Sequence, residues 1–306
     1  MLRALLSLTP PAVDSLDAWW AATREHRESA TTTADRALVG GVLADRLGFA
    51  FAAGYQEALR ALVPGDGVRA LCVTEARGNS PKDIDTTLTA EGTNFMVSGA
   101  KKWATAGPLA SELLVCAKAG VDAQGRNALK MVRVSTTAPG VKITPASAPF
   151  VPEVPHAEVV LDRVHIEASA VLPGDGYADY VKPFRTVEDA HVHCAVLGYL
   201  VGVARRQELA RDLIERLLAA ALATRELARA DARDPATHIA LAGAITLAAT
   251  LVGEVEVVWE AQAEDREDKQ GDAEWSRWQR DRALLKVAGA ARAARRDAAW
   301  SSVVPT

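Results

Sequence analysis

Cysteine is scarce in this 306-residue chain: Cys72, Cys116 and Cys194 are an odd number, widely spaced, with no Cys-x-x-Cys pair. Neither a disulfide framework nor a zinc site is indicated, and buried free thiols in a reducing compartment are expected. Basic charge is not in excess either. With 35 Lys and Arg against 39 Asp and Glu, the net charge is −4 and the pI about 5.9. No global field exists to hold nucleic acid or an anionic membrane. The apolar run in the N-terminal MLRALLSLTPPAVD is too short for a signal-peptide core or a bilayer span. A cytoplasmic protein with neither nucleic-acid nor membrane partners is the expectation. Internal repeats and low-complexity tracts are lacking, apart from an alanine bias that suits closely packed helices.

What is present is a globular composition, 49% hydrophobic and 24% charged, with enough apolar residues for a large core. The length predicts two or three domains. Residues 12–62 carry apolar residues at helical spacing and predict two or three helices, the first capped by Asp14 or Ser15. Pro64-Gly65-Asp66-Gly67 breaks that pattern. Short Val- and Thr-rich runs follow, predicting strands near 69–74, 86–90, 94–104, 112–119, 128–135, 141–144 and 157–166. Glu91-Gly92-Thr93 reads as a hairpin loop, and the regular spacing as an antiparallel barrel or sandwich. Beyond Pro173-Gly174-Asp175-Gly176 the chain predicts helices at 186–206, 208–231, 237–266 and 273–300, the last two parted by the polar run Glu264–Asp272. Long helices with short connections make an antiparallel four-helix bundle. The domains are then 1–66, 67–172 and 173–306.

Two motifs in the segment Leu71–Gly107 carry chemistry: Cys72-Val73-Thr74-Glu75-Ala76-Arg77-Gly78-Asn79-Ser80-Pro81 and Gly99-Ala100-Lys101-Lys102-Trp103-Ala104-Thr105-Ala106-Gly107. Their sequence and separation resemble the acyl-CoA dehydrogenase family, whose versions read Cys-Val-Thr-Glu-Pro-Gly-Ala-Gly-Ser-Asp and Gly-x-Lys-x-Trp-Ile-Thr-Asn-Gly. HAEVVLDRVHIEASAVLPGDGY and TVEDAHVHCAVLGYLVGVARR are similar to the family's strand leaving its β-domain and its first bundle helix. The resemblance implies an α+β fold of N-terminal helical domain, central antiparallel β-domain and C-terminal four-helix bundle. It also implies FAD as cofactor, with Thr74 and Ser80 facing the flavin ring or phosphates and Trp103 and Thr105 lining the ring edge. Read without the family, Thr74 and Thr105 suit a strand and Trp103 a core.

Dehydrogenation of a thioester needs a carboxylate to take the α-proton. The sequence ends near where most of the family places its glutamate, so the resemblance is to a short, C-terminally truncated and divergent member. Relatives resembling isovaleryl- and long-chain acyl-CoA dehydrogenases carry the glutamate ten residues before a Leu-Gly glycine. Counted back from Gly198, that residue is Glu188, with Thr186 as the helix cap. Those relatives follow it with arginine, whereas Asp189 stands here; Glu188 and Asp189 also suit a plain helix start. Glu188 and His191 form a Glu-x-x-His element, but the other instance, Glu153 to His156, lies in a proline-rich loop, so no metal is expected. An Arg-x-x-Phe-Gly motif and the glycine-rich adenine loop are missing; Arg77 or Arg185 could serve a phosphate. Arg292, Arg295 and Arg296 read as a solvated helix end. The functional expectation is α,β-dehydrogenation of an acyl thioester by a homodimer or larger homo-oligomer, with a protein or oxygen as electron acceptor. The rivals are a catalytically degenerate binding or scaffold protein and a flavin monooxygenase.

Overall fold

The computed structural model describes residues 1–265 and 269–304, with side chains described outside 264–272. Two compact units divide the chain: residues 1–61 with 186–306, and residues 62–185. The segments read above as first and third domains therefore cluster as one helical unit.

Within residues 1–62 lie α1 (Leu2–Ser7), α2 (Leu16–Ala22), α3 (Arg24–Glu28), α4 (Thr33–Val42) and α5 (Leu47–Leu62). Four of these fall in the region expected to hold two or three helices. The extra division comes from Thr32, whose hydroxyl caps α4 by accepting the Asp35 amide at 3.1 Å. Ser15 takes the N-cap position of α2 without a side-chain cap bond. Leu5 of α1 is fully buried, and Arg205 donates to the Leu5 and Leu8 carbonyls that end the helix.

The remaining helices are α6 (Lys182–Arg206), α7 (Arg211–Leu227), α8 (Pro235–Asp265), α9 (Lys269–Asp281) and α10 (Gly289–Val303). Residues 266–268 of the polar run between α8 and α9 lie outside the described residues. The expected helix over 273–300 is broken by a 3-10 segment, Arg282–Lys286, and by Ala288 at φ 62°. Local alanine propensity yields there to tertiary contacts: Leu284 is buried, and Arg292 donates to the carbonyls of Leu285 and Val287. Trp259, Trp275 and Trp278 join Tyr199 in an aromatic cluster between α6, α8 and α9, with centroids 5.2–6.0 Å apart. α4 and α5 meet α6 through glycine. A Cβ on Gly41 would lie 1.9 Å from the Ala195 carbonyl oxygen, and one on Gly198 would lie 2.4 Å from that of Leu38. α8 is long and apolar enough to cross a membrane by length and composition, with an 18-residue window of mean hydropathy 1.7 inside Pro235–Ala263. In this unit it packs against α7 and α10, and Glu254 and Glu256 pair with Arg216 and Arg282.

The β-unit holds β1 (Arg69–Cys72), β2 (Thr87–Glu91), β3 (Asn94–Thr105), β4 (Glu112–Val121), β5 (Asn127–Ser135), β6 (Val141–Ala146) and β7 (His156–Ile166). They form a single curled sheet in the order β1-β4-β2-β3-β7-β6, with β5 on the other edge of β4. It is mixed rather than wholly antiparallel: β1 and β2 both run parallel to β4, because the β2–β3 hairpin intervenes in the chain between β1 and β4. Inward residues of alternating strands, among them Val97, Leu113, Val115, Val132, Val159 and Val164, are fully buried and make its core. The three cysteines are free and buried. Burial pushes the Cys72 thiol up to about 12 and Cys116 to about 11, so neither is a nucleophile at neutral pH.

Candidate functional site

β1 delivers the chain to Val73 and Thr74, and the Thr74 carbonyl accepts the Lys102 amide at 2.8 Å. That bond sets Thr74 beside the end of β3, where the ladder with β7 is irregular between Lys101 and Ala104. Trp103 sits in this bulge at φ 61° and is 54% exposed. For a bulky L-residue the left-handed region is a genuine outlier, and such strain persists only where the surroundings enforce it. Here the flanking chain is fixed: Lys101, two residues before it, and Ala104, directly after it, are buried, and the amide of the intervening Lys102 is held by the Thr74 carbonyl. Thr105 then pairs with His156, and Ala106, also left-handed at φ 58°, donates its amide to the Pro155 carbonyl at 2.8 Å. An aromatic face is thus held at the surface by backbone geometry rather than by packing.

A buried ion pair anchors this wall. Lys101 Nζ donates to Glu75 Oε1 at 2.7 Å, to the Cys116 carbonyl at 2.6 Å and to the Val73 carbonyl at 3.3 Å. Glu75 also accepts the Asp85 and Thr86 amides and the Thr86 hydroxyl. Burial would raise the Glu75 carboxyl, but the Lys101 bond and charge, with the Asp85 amide and the Thr86 hydroxyl, hold it below the ordinary value. The loop beyond turns back through two Glu75–Gly78 backbone bonds of 2.8 and 3.2 Å. Gly78, at φ 145°, faces the Asp83 carboxylate. Ser80 is exposed at the start of the short 3-10 turn Pro81–Asp83, its amide donating to Asp83 Oδ2 at 3.3 Å. Arg77, considered above for a phosphate, is instead paired with Asp85 at 2.7 Å. The structure therefore brings Thr74, Trp103 and Thr105 together along one rim, with Ser80 on the adjoining loop.

Glu188 belongs to the helical unit. α6 starts at Lys182, so Thr186 is inside the helix and not its cap. Its hydroxyl is buried and without a hydrogen-bond partner. The chain enters this helix through a π-helical turn, Gly176–Val181, capped by the Asp175 carboxylate on the Tyr177 and Ala178 amides, and Pro183 presets the first turn. Glu188 is consequently one turn deeper than the sequence suggests, beyond the strongest reach of the helix dipole. It borders a cavity of about 80 Å³ with Phe51, Val192, Leu284 and Val287.

Sequence reasoning missed what holds this cavity's edge. Asp189 accepts from both Arg292 (3.2 Å) and Arg295 of α10. These arginines are mostly buried, at 16% and 20% side-chain exposure, and not a solvated helix end; only Arg296 pairs locally with Asp297 at the surface. The absence of an arginine after Glu188, together with a cationic α10, was the available signal. His191 donates from Nδ1 to the Val187 carbonyl and accepts the Thr33 hydroxyl at Nε2. Burial lowers its pKa to about 4. Both ring nitrogens are thus engaged.

The comparisons agree with this architecture. The sequence profile described as acyl-CoA dehydrogenase, middle domain, matches residues 70–164, the strand wall just described. A Bacillus subtilis protein named probable acyl-CoA dehydrogenase YngJ is 27% identical over 152 residues, which cover 49% of this chain and 39% of that protein's length. A solved FAD-dependent dehydrogenase superposes with a TM-score of 0.68 at 14% identity, over 99% of this chain and 96% of its own. A glutaryl-CoA dehydrogenase from Mycobacterium smegmatis in complex with FADH2 gives 0.64 at 14% identity, over 98% and 89%. The two units together define the acyl-CoA dehydrogenase fold. Residues 70–164 match that family's middle domain, and the solved structures, at 14% identity, share the fold. The wall's residues fit the ring end of a flavin: an exposed indole fixed by its backbone, with Thr74 and Thr105 beside it. On the loop, the cation nearest to a phosphate role, Arg77, is already committed to Asp85.

Proposed function

We propose that the chain is a flavin-dependent oxidoreductase that takes FAD and removes hydrogen from the α and β carbons of an acyl-CoA-type thioester. The observation that carries this reading is Trp103, held left-handed and exposed on a wall that matches the family's middle domain. Trp103 and Thr105 would line the flavin edge, and Thr74 and Ser80 would give hydroxyl and backbone donors. FAD, when bound, supplies the two-electron acceptor for the β-hydrogen. Donors fixed in place before reaction stabilise charge without reorganising, the usual source of such catalysis. Glu188 would take the α-proton; its cavity is apolar on several sides, and the neighbouring carboxylate, Asp189, is neutralised by two arginines. A homodimer or larger homo-oligomer is part of the proposal. Electrons would pass on to an acceptor protein or oxygen, and the protein would work in the cytoplasm.

Gel filtration of the purified protein after incubation with FAD tests cofactor and chemistry separately. Yellow protein whose flavin is lost on Trp103→Ala is expected. Glu188→Gln should keep the flavin but slow turnover of an acyl thioester by roughly 10²–10⁴-fold, the range for a general base. A protein that never retains FAD would instead be a degenerate, non-catalytic member of the fold.

A further inference from the structure

A second cavity, of about 440 Å³, lies inside the helical unit between α6, α8 and the 3-10 segment Arg282–Lys286. It falls in the range of small-molecule pockets, about 300–1,000 Å³. Its long walls are apolar, with Val196 and Leu197 from α6 and Ile245, Ala248 and Val252 from α8. The α8 residues that border it run from Ile245 to Glu256, which at ~1.5 Å per residue is about 16 Å of helix. Gly253 also lines it, and a Cβ there would meet nothing within 4 Å. Glycine weakens a helix interior, so the space is kept open at a cost in helix propensity.

Polar groups border this apolar body. His193 is 6% exposed and donates from Nδ1 to the Asp189 carbonyl at 2.6 Å. Burial lowers its pKa, so the neutral ring leaves Nε2 as an acceptor in the cavity wall, without a hydrogen-bond partner among the described residues. Glu256 is already matched: it accepts Trp278 Nε1 at 2.8 Å and Arg282 Nη1 at 3.2 Å. Lys286 is exposed and has no ion pair among the described residues. The cavity is therefore bordered by two cations and one satisfied carboxylate, and by a histidine whose Nε2 has no protein donor among the described residues.

We propose that this cavity binds a small apolar carboxylic acid bearing a hydroxyl group. The hydrocarbon lies between α6 and α8, the hydroxyl donates to His193 Nε2, and the carboxylate meets Arg282 and Lys286. The site shares His193 and Leu285 with the Glu188 cavity but does not depend on the flavin reading.

Calorimetric titration of the full chain with ω-hydroxydecanoate, decanoate and decyltrimethylammonium tests it. The hydroxy acid should bind one to one, decanoate roughly fivefold more weakly for want of one hydrogen bond, and the ammonium not at all. Gly253→Leu fills the cavity and should abolish binding while the far-UV spectrum is unchanged; Ala249→Leu is the second blocking variant. Lys286→Glu should weaken binding roughly tenfold, and His193→Leu should erase the preference for the hydroxy acid. No binding of the hydroxy acid, equal binding of the ammonium, or undiminished binding by a folded Gly253→Leu variant would overturn the proposal.

Discussion

The strand wall and the start of α6 both fix a functional residue with a charged clamp, and they do it differently. Lys101 and Glu75 sit inside the β-unit, satisfied on almost every side by backbone and hydroxyl groups. Asp189 and its two arginines join separate helices at a partly exposed edge. A dry pair is costly to break because the survivor is stranded, whereas a wet one is replaced by water. The first clamp defines a fold element, and the second adjusts a helix.

Breaking the first should therefore cost most. Lys101→Met leaves Glu75 buried and uncompensated, and denaturant unfolding should show a loss of about 3–5 kcal/mol. Next comes the proton. The folded pKa of His191, about 4, lies below the ordinary 6.5, so between these values the unfolded chain binds the extra proton. Its contribution is whole above pH 6.5 and declines as pH falls toward 4, by up to roughly 3 kcal/mol. His191→Gln should flatten that slope in unfolding curves at stepped pH. Asp189→Asn should be milder, about 1–2 kcal/mol, because this clamp keeps more solvent contact than the Lys101–Glu75 pair, and high salt should shrink the difference. Smallest is Trp103→Gly, which relieves left-handed strain and should stabilise the folded chain by about 1 kcal/mol while impairing flavin retention. A destabilised Trp103→Gly variant would mean that the indole packs rather than waits for a ligand.

The strands were legible because each is a short run bounded by turn residues; the Glu91-Gly92-Thr93 hairpin tightens only to Gly92-Thr93, with Gly92 at φ 62°. The wall's motifs were legible too, but the left-handed backbone of Trp103 was not, since tryptophan carries no signal for positive φ. At α6, Thr186 looked like a cap because a threonine two residues before an acid usually is one. The real entry uses Asp175 and a π-turn with no periodic pattern. Arg292 and Arg295 were misread because their partner lies 103 and 106 residues away in sequence, and long-range charge pairing leaves no local trace.

Gly41 and Gly198 mark places where α4 and α6 touch backbone to backbone. Where side chains intervene between helices, a change of rotamer can absorb a small shift. A seam without them behaves as a rail. A shift of α6 at Ala195–Gly198 is therefore passed straight to α4.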